Sequence, residues 1–143
     1  MRRSTLVIAS LLFSTSLNAC SQPEGKMVEG TWIPVDAQLG GQPYPPTVLK
    51  TMKLTIADGK YVVDVGGQLD KGTVALQTAS TPKGMDVTGT EGPNAGKTFP
   101  AIYEVHGDTL RICYDLSGRQ RPSEFRSAPG SLQFLVNYAR AKG

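Results

Sequence analysis

Histidine and cysteine are almost absent from this sequence. Its 143 residues contain one histidine, His106, and two cysteines, Cys20 and Cys113. A histidine-rich metal site or a framework of disulfides needs more ligands and more pairs than these residues supply. No serine occupies the Gly-x-Ser-x-Gly pattern of hydrolases, and His106 adjoins a tight turn, where a solvated side chain is the usual outcome. We therefore expect a protein with no cofactor, no metal and no catalytic residue.

The sequence also lacks an apolar run long enough to cross a membrane as a helix. The apolar stretch near the N-terminus, residues 6–13, has a length of about eight residues, well short of the roughly 20 that a spanning helix needs. Arg2 and Arg3 precede it, and small residues follow it up to Ala19. A basic start, a short apolar run and small residues are typical of a secretory signal peptide, which we predict over residues 1–19.

The segment Leu17-Asn18-Ala19-Cys20 resembles the lipobox of bacterial lipoproteins, with leucine three residues before the cysteine and alanine next to it. The resemblance implies that Cys20 becomes the first residue of the mature chain and carries lipid. Such an anchor to the membrane is stable because each buried CH₂ contributes about 0.8 kcal/mol. Ser21 after the cysteine implies an address in the outer membrane of the cell envelope, facing the periplasm. In the alternative, cleavage after Ala19 leaves Cys20 as a free thiol.

Neither sign of charge dominates the mature sequence. Arg2 and Arg3 are two of the 15 basic residues, so cleavage before Cys20 leaves 13 basic residues against 12 acidic ones. Nucleic-acid binding needs a concentrated basic surface, which a nearly neutral domain does not supply. We therefore expect no nucleic-acid partner.

Glycine and proline are abundant, with 16 and 10 residues spread along the chain without a fixed period. Such a density interrupts helices and favours short strands joined by turns. Residues 20–28 are expected to hold the lipidated cysteine and a largely polar tether, and residues 29–143 are expected to form one domain. We predict an all-β fold, a single antiparallel barrel of about eight strands. The predicted strands are 31–35, 53–57, 60–65, 72–78, 85–89, 101–106, 109–115 and 132–140.

The hairpin predicted around Gly107-Asp108 specifies its own register. With a two-residue turn, Glu104 faces Arg111 on one side of the ribbon, which is expected to be the outer, solvated side. A shift by one residue would bury both charges, so the alternation selects this pairing. The opposite, inward face is apolar apart from two phenol groups and carries Ala101, Tyr103, Val105, Leu110, Ile112 and Tyr114.

Five parts of the sequence form a recognisable series, namely residues 29–32, 81–86, 102–113 and 121–125, and Arg140. In this order they resemble a family of small lipocalin-like bacterial domains first described as abundant in planctomycetes. The Gly-Asp-Thr-Leu and Arg-Pro-x-Glu-Phe blocks are the most distinctive parts of the series. The resemblance covers residues 29–140, implies a lipocalin-like barrel, and carries no established activity.

Gly30-x-Trp32 also resembles the opening motif of lipocalins. There the tryptophan of the first strand closes the barrel floor, and an arginine of the last strand packs across its ring. The resemblance implies this role for Arg140, whose guanidinium over the indole of Trp32 would contribute about 0.5–2 kcal/mol.

The resemblance also implies structural roles for Asp108 in the hairpin turn and for Arg121 and Glu124 of the Arg-Pro-x-Glu-Phe block. Arg121 is expected to pair with Glu124 or with another carboxylate such as Asp108. In the alternative, Arg121 joins Arg119 and Arg126 in a basic patch for an anion or an acidic partner.

Two functions of different kinds fit such a protein. The first is a non-enzymatic module that holds a small apolar ligand in the barrel, where Tyr103 and Tyr114 offer hydroxyls to its polar end. Eight strands leave room either for packed side chains or for one small ligand, so a filled core is the alternative. The second function is that of a periplasmic interaction protein, such as an inhibitor or immunity protein against a cell-wall hydrolase, which would use the loop 115–126. We take the first as the leading hypothesis.

Overall fold

The computed structural model describes residues 23–142. The predicted signal peptide and Cys20 lie outside the described residues. Among residues 23–142, no helix is both long enough and apolar enough to span a bilayer. The elements, in chain order, are α1 Glu24–Met27, β1 Gly30–Leu39, β2 Gln42–Pro43, α2 Pro46–Leu49, β3 Met52–Ala57, β4 Lys60–Val65, β5 Gln68–Gln77, β6 Lys83–Glu91, β7 Thr98–His106, β8 Thr109–Asp115 and β9 Gln133–Arg140.

The strands form one closed antiparallel barrel. From β3 to β9 each strand pairs with the next, and β1 pairs with both β3 and β9, so that eight strands close on themselves. The two-residue strand β2 pairs only with the last two residues of β1 and takes no part in closing the barrel. The predicted all-β fold, a single antiparallel barrel of about eight strands, is confirmed.

The tight turns have the residues that their backbone geometry demands. Asp58 and Gly59 join β3 to β4, and both have positive φ, 52° and 72°. This conformation matches the right-handed twist of the flanking strands and favours Asp-Gly. The turn sets the register Ala57↔Lys60, as the sequence predicted.

The first strand is longer than predicted because it continues past a bulge that follows Pro34. β1 continues to Leu39, and its pairing with β9 shifts register between Pro34 and Asp36. A bulge absorbs the hydrogen bond that proline cannot donate. Val35 at the bulge is 63% exposed.

Residues 23–28, predicted as part of a tether, pack against the barrel. α1 is followed by Val28, which is only 1% exposed. The indole N–H of Trp32 donates to the carbonyl oxygen of Val28 at 2.9 Å. The polar composition of this segment concealed one buried side chain at its end, and the segment therefore belongs to the domain.

The predicted register of the β7–β8 hairpin is confirmed, with Glu104 opposite Arg111. Their side chains pair at 2.9 Å and remain 43% and 37% exposed. The loop between β8 and β9 folds back over this outer face. Cys113 points outward yet is fully buried, because its thiol donates to the carbonyl oxygen of Arg126 at 3.4 Å and the loop covers it.

Candidate functional site

One end of the barrel is closed by Trp32 and Arg140. The Arg140 guanidinium lies 4.2 Å from the centre of the buried indole ring. It also donates to the carbonyl oxygens of Glu29 and Gly107 and to the Asp108 carboxylate, at 2.6, 3.0 and 3.2 Å. The packing of Arg140 across Trp32, implied by the lipocalin motif, is present. Asp108 has the expected structural place in the turn, where it pairs with Arg140.

Gly30 shows why glycine stands two residues before Trp32. Its φ of +130° is rarely adopted by residues with a side chain, and a Cβ there would lie 2.6 Å from a guanidinium nitrogen of Arg140. The glycine therefore makes room for the arginine that covers the indole.

Arg121 pairs with a carboxylate as predicted, but that carboxylate belongs to Asp86 and not to Glu124 or Asp108. Its guanidinium bonds the Asp86 carboxylate at 2.6 Å and the carbonyl oxygen of Ala101 at 2.9 Å. Asp108 is paired with Arg140 instead, and Glu124 is exposed at the surface. The loop 116–132 folds across β7 to reach β6, a long-range approach that spacing along the sequence cannot show. With its charge already paired, Arg121 does not supply a free cation to a basic patch.

The opposite half of the barrel contains a cavity of about 300 Å³. Its wall is mainly apolar and includes Leu54, Val63, Val87 and Ile112. Within residues 23–142, five aromatic side chains also line the cavity: Tyr61, Phe99, Tyr114, Phe134 and Tyr138. The alternative of a completely filled core is therefore wrong for this half of the barrel.

The two tyrosines predicted to serve a ligand lie in different places. Tyr114 lines the cavity. Tyr103 does not, because its hydroxyl donates to the Glu24 carboxylate at 3.2 Å, beside the closed end. Burial and the nearby Glu24 raise the pKa of Tyr103, so the phenol stays a donor. Both tyrosines face inward as predicted. Their positions differ by two residues along the paired strands, which places Tyr103 in the packed half and Tyr114 in the hollow half.

Burial also raises the pKa values of the cavity tyrosines. The pKa of Tyr138 rises to about 12, although the Tyr114 hydroxyl opposes the rise. The pKa of Tyr114 lies well above its ordinary value, mainly through burial, with Tyr138 adding to the effect. Both phenols are therefore neutral at physiological pH and present hydroxyl groups, not charges, to the cavity.

A polar cluster, formed by Asp70, Tyr61 and Asn94, interrupts the apolar wall. The Tyr61 hydroxyl and the Asn94 amide donate to Oδ2 of Asp70 at 3.3 and 2.9 Å. Oδ1 of Asp70 is shielded from solvent and has no hydrogen-bond partner among residues 23–142. Burial, and then Asp70, raises the pKa of Tyr61, so its hydroxyl remains a donor to the carboxylate.

Asp70 is a residue of the candidate site that the sequence analysis does not identify. The usable signal was alternation along β5, since Asp70, Gly72 and Val74 share one face and Val74 is apolar. Gly72 adds a second clue: a Cβ there would collide with the carbonyl oxygen of Thr88 on β6 and would also lie 2.6 Å from Cε1 of Tyr61. The glycine thus leaves space for the ring that reaches Asp70.

Asp115 organises the start of the loop that was considered for partner binding. The carboxylate is 7% exposed and accepts hydrogen bonds from the backbone N–H groups of Ser117, Arg119 and Gln120. Burial alone would raise the pKa of Asp115, but these bonds and the Ser117 hydroxyl outweigh it and lower the pKa. The loop tip at Ser117 and Arg119 is exposed, while Pro122 and Ser127 further along the loop are buried.

Residues suited to metal binding are not gathered in residues 23–142. His106 is exposed beside its hairpin turn, and the described chain holds no group of three or more His, Cys, Asp or Glu side chains placed to bind a metal ion. The cavity with its polar cluster is therefore the candidate site.

Comparison with known proteins gives no match for this chain. No family model matches it, and neither does any curated protein or any solved structure. Membership of the lipocalin-like family therefore stays a prediction from the sequence. The function has to be argued from the geometry of the barrel.

Proposed function

We propose that this chain is a lipid-anchored, non-enzymatic binding protein that holds a small, mainly apolar ligand in the barrel cavity. The single observation that carries the proposal is the cavity itself, about 300 Å³ with a mainly apolar wall. Ligand pockets start at about 300 Å³ and combine apolar walls with a few polar groups. Here the polar groups are the tyrosine hydroxyls and Asp70.

The volume limits the size of the ligand. An apolar cavity of about 150 Å³ stays dry and takes up one benzene molecule. The cavity of about 300 Å³ therefore fits a body of two fused rings or an alkyl chain of comparable volume. Larger lipids would have to leave most of their length outside.

The proposed anchor determines how the cavity is oriented relative to the membrane. The described domain begins at Pro23 beside the closed end, and the cavity occupies the other half. The three peptide links from Cys20 to Pro23 span at most about 11 Å. Lipid on Cys20 thus holds the closed end near the membrane, on the periplasmic side of the outer membrane, and turns the cavity toward the aqueous compartment.

The test of ligand binding compares two tryptophan substitutions in β4. Val63 lines the cavity, whereas its neighbour Val62 on the same strand points to the outer face of the barrel. The full-length chain and both variants are purified in one detergent, extracted with organic solvent, and analysed by mass spectrometry for small molecules. We expect the chain and Val62→Trp to retain the same compound, and Val63→Trp to lose it.

A neutral apolar dye, N-phenyl-1-naphthylamine, provides the second measurement on the same samples. Its fluorescence should rise with the chain and with Val62→Trp and stay at the micelle background with Val63→Trp. Circular dichroism checks that Val63→Trp is folded, and Val63→Phe replaces it if it is not. Equal retention and equal dye binding by both variants would overturn the cavity as the binding site.

The anchor is tested separately with Cys20→Ser. Labelled palmitate should enter the natural chain and not the variant, and the variant should leave the membrane fraction. Incorporation of label into Cys20→Ser at the natural level would show that Cys20 is not the lipid site.

A further inference from the structure

We propose that the cavity selects an apolar amine, with Asp70 receiving its ammonium group. This inference rests on the binding function proposed above and adds the chemical class of the ligand. The ligand is a cation with a body of about two rings, bound through charge at one point and through apolar contact elsewhere.

The position of Asp70 is the first argument. Asp70 belongs to β5, lies opposite the cavity residue Val63, and is itself part of the cavity wall. A carboxylate at an inward position of a barrel is costly unless it is paired or hydrogen-bonded. An acid thus occupies a position in the cavity wall whose neighbours are mainly apolar.

The hydrogen bonds of this carboxylate are the second argument. Tyr61 and Asn94 both donate to Oδ2, and Oδ1 is shielded with no partner among the residues that the structure describes. Tyr61 and Asn94 thus hold the carboxylate in place without satisfying it. The χ2 torsion of aspartate is broad, so a modest rotation turns an oxygen toward a donor in the cavity.

The aromatic wall is the third argument. Five aromatic rings line the cavity in the described part of the chain, Tyr61 among them. The faces of such rings attract ammonium groups, and aromatic cages are a known device for binding cationic ligands. A carboxylate beside aromatic rings therefore favours an amine over a neutral or anionic head group.

Lys97 is the other charged residue that lines the cavity within residues 23–142. Its side chain is exposed and takes part in no ion pair of the described structure. Its charge is therefore solvated and screened at the rim. The charge still opposes an ammonium ligand weakly and would favour a carboxylate ligand. Removal of this charge should therefore tighten the binding of an amine.

The experiment uses three probes that share one bicyclic body: 1-naphthylmethylamine, 1-naphthylmethanol and 1-naphthylacetate. Their affinities are measured by displacement of N-phenyl-1-naphthylamine from the full-length chain at neutral pH. We expect the amine to bind about tenfold more tightly than the alcohol, because hydrogen bonds to charged groups are roughly twice as strong as neutral ones. The acetate should bind most weakly.

The matched variants are Asp70→Asn and Glu91→Gln. Both remove one negative charge, but Glu91 is exposed and pairs with Lys71 outside the cavity. Asp70→Asn should abolish the preference for the amine while it leaves alcohol binding within about twofold, since the apolar contacts remain. Glu91→Gln should keep the natural preference.

Lys97→Met provides an independent measurement, which tests the proposal even if Asp70→Asn does not fold. It should tighten amine binding by about two- to fivefold, through removal of a screened like charge. Equal binding of all three probes, or weaker amine binding in Lys97→Met, would overturn the amine while the apolar cavity stands. Displacement of the dye by no probe, together with failure of the Val63→Trp comparison, would overturn the proposed function itself.

Discussion

The two halves of the barrel follow the same alternation of inward and outward side chains, yet one is solid and the other hollow. In the closed half, Trp32, Tyr103 and Leu110 fill the interior and are almost completely buried. In the other half, Gly72 allows Tyr61 to lie against the wall, and a cavity of about 300 Å³ remains. The packing of the inward side chains against one another, rather than the strand pattern, thus decides where a small barrel keeps space.

The largest expected effect contrasts Leu110→Ala in the solid half with Leu54→Ala beside the cavity. Leu110 is 1% exposed, and Leu54 is 4% exposed and lines the cavity. Loss of Leu110 should cost about 3–5 kcal/mol of unfolding free energy, and loss of Leu54 about 2–3, because fewer packed atoms surround the second side chain. Urea unfolding of the full-length chain measures both, and equal losses would show that the halves are packed alike.

Arg140→Ala should cost about 2–3 kcal/mol, since it removes the cation–π contact and several hydrogen bonds at the barrel floor. Arg140→Lys keeps the charge without the planar guanidinium group. Its free energy of unfolding should lie between those of the natural chain and Arg140→Ala. The measurement is again the free energy of unfolding. A midpoint that does not move in Arg140→Ala would mean that the closed half does not depend on this residue.

Asp115→Asn affects the loop that follows β8 and leaves the closed half intact. It should cost about 1–2 kcal/mol at neutral pH, through weakened acceptance of the loop N–H groups. Because folding lowers the pKa of Asp115, its contribution is present above the ordinary value of about 3.9 and is lost as the pH falls through the folded pKa. The difference in unfolding free energy between the natural chain and Asp115→Asn should therefore be smaller near pH 3 than at pH 7.

Glu104→Gln on the outer wall should change the unfolding free energy by less than about 0.5 kcal/mol, because partly exposed ion pairs contribute little. Glu104→Ala in the same assay shows whether packing of the side chain matters instead. A loss above about 2 kcal/mol in Glu104→Gln would contradict the outward placement that the register requires.

Local rules made most of the fold predictable. Asp58-Gly59 and Gly107-Asp108 each set a hairpin register, and the pairing of Glu104 with Arg111 followed from keeping both charges outside. These features depend on residues that are close in sequence. The packing of Arg140 across Trp32 came from a resemblance and not from the residues alone.

The remaining features depend on contacts between distant parts of the chain. Arg121 reaches Asp86 because a loop folds across β7, and no spacing rule gives that path. Val28 is buried by strands that follow it, inside a segment that is otherwise polar. Asp70 belongs to a cavity, and empty space has no sequence pattern of its own. The candidate site was therefore predictable only in part, through Tyr114.

The closure of β1 on β9 also governs the order in which the domain can fold. Arg140 bonds the carbonyl oxygen of Glu29 across 111 positions of sequence. Non-local contacts of this kind must overcome loop-closure entropy before they stabilise anything, and they slow folding. Until β9 is available, β1 and β8 each have an unpaired edge. The chain thus completes its barrel only when its last strand pairs with its first strand.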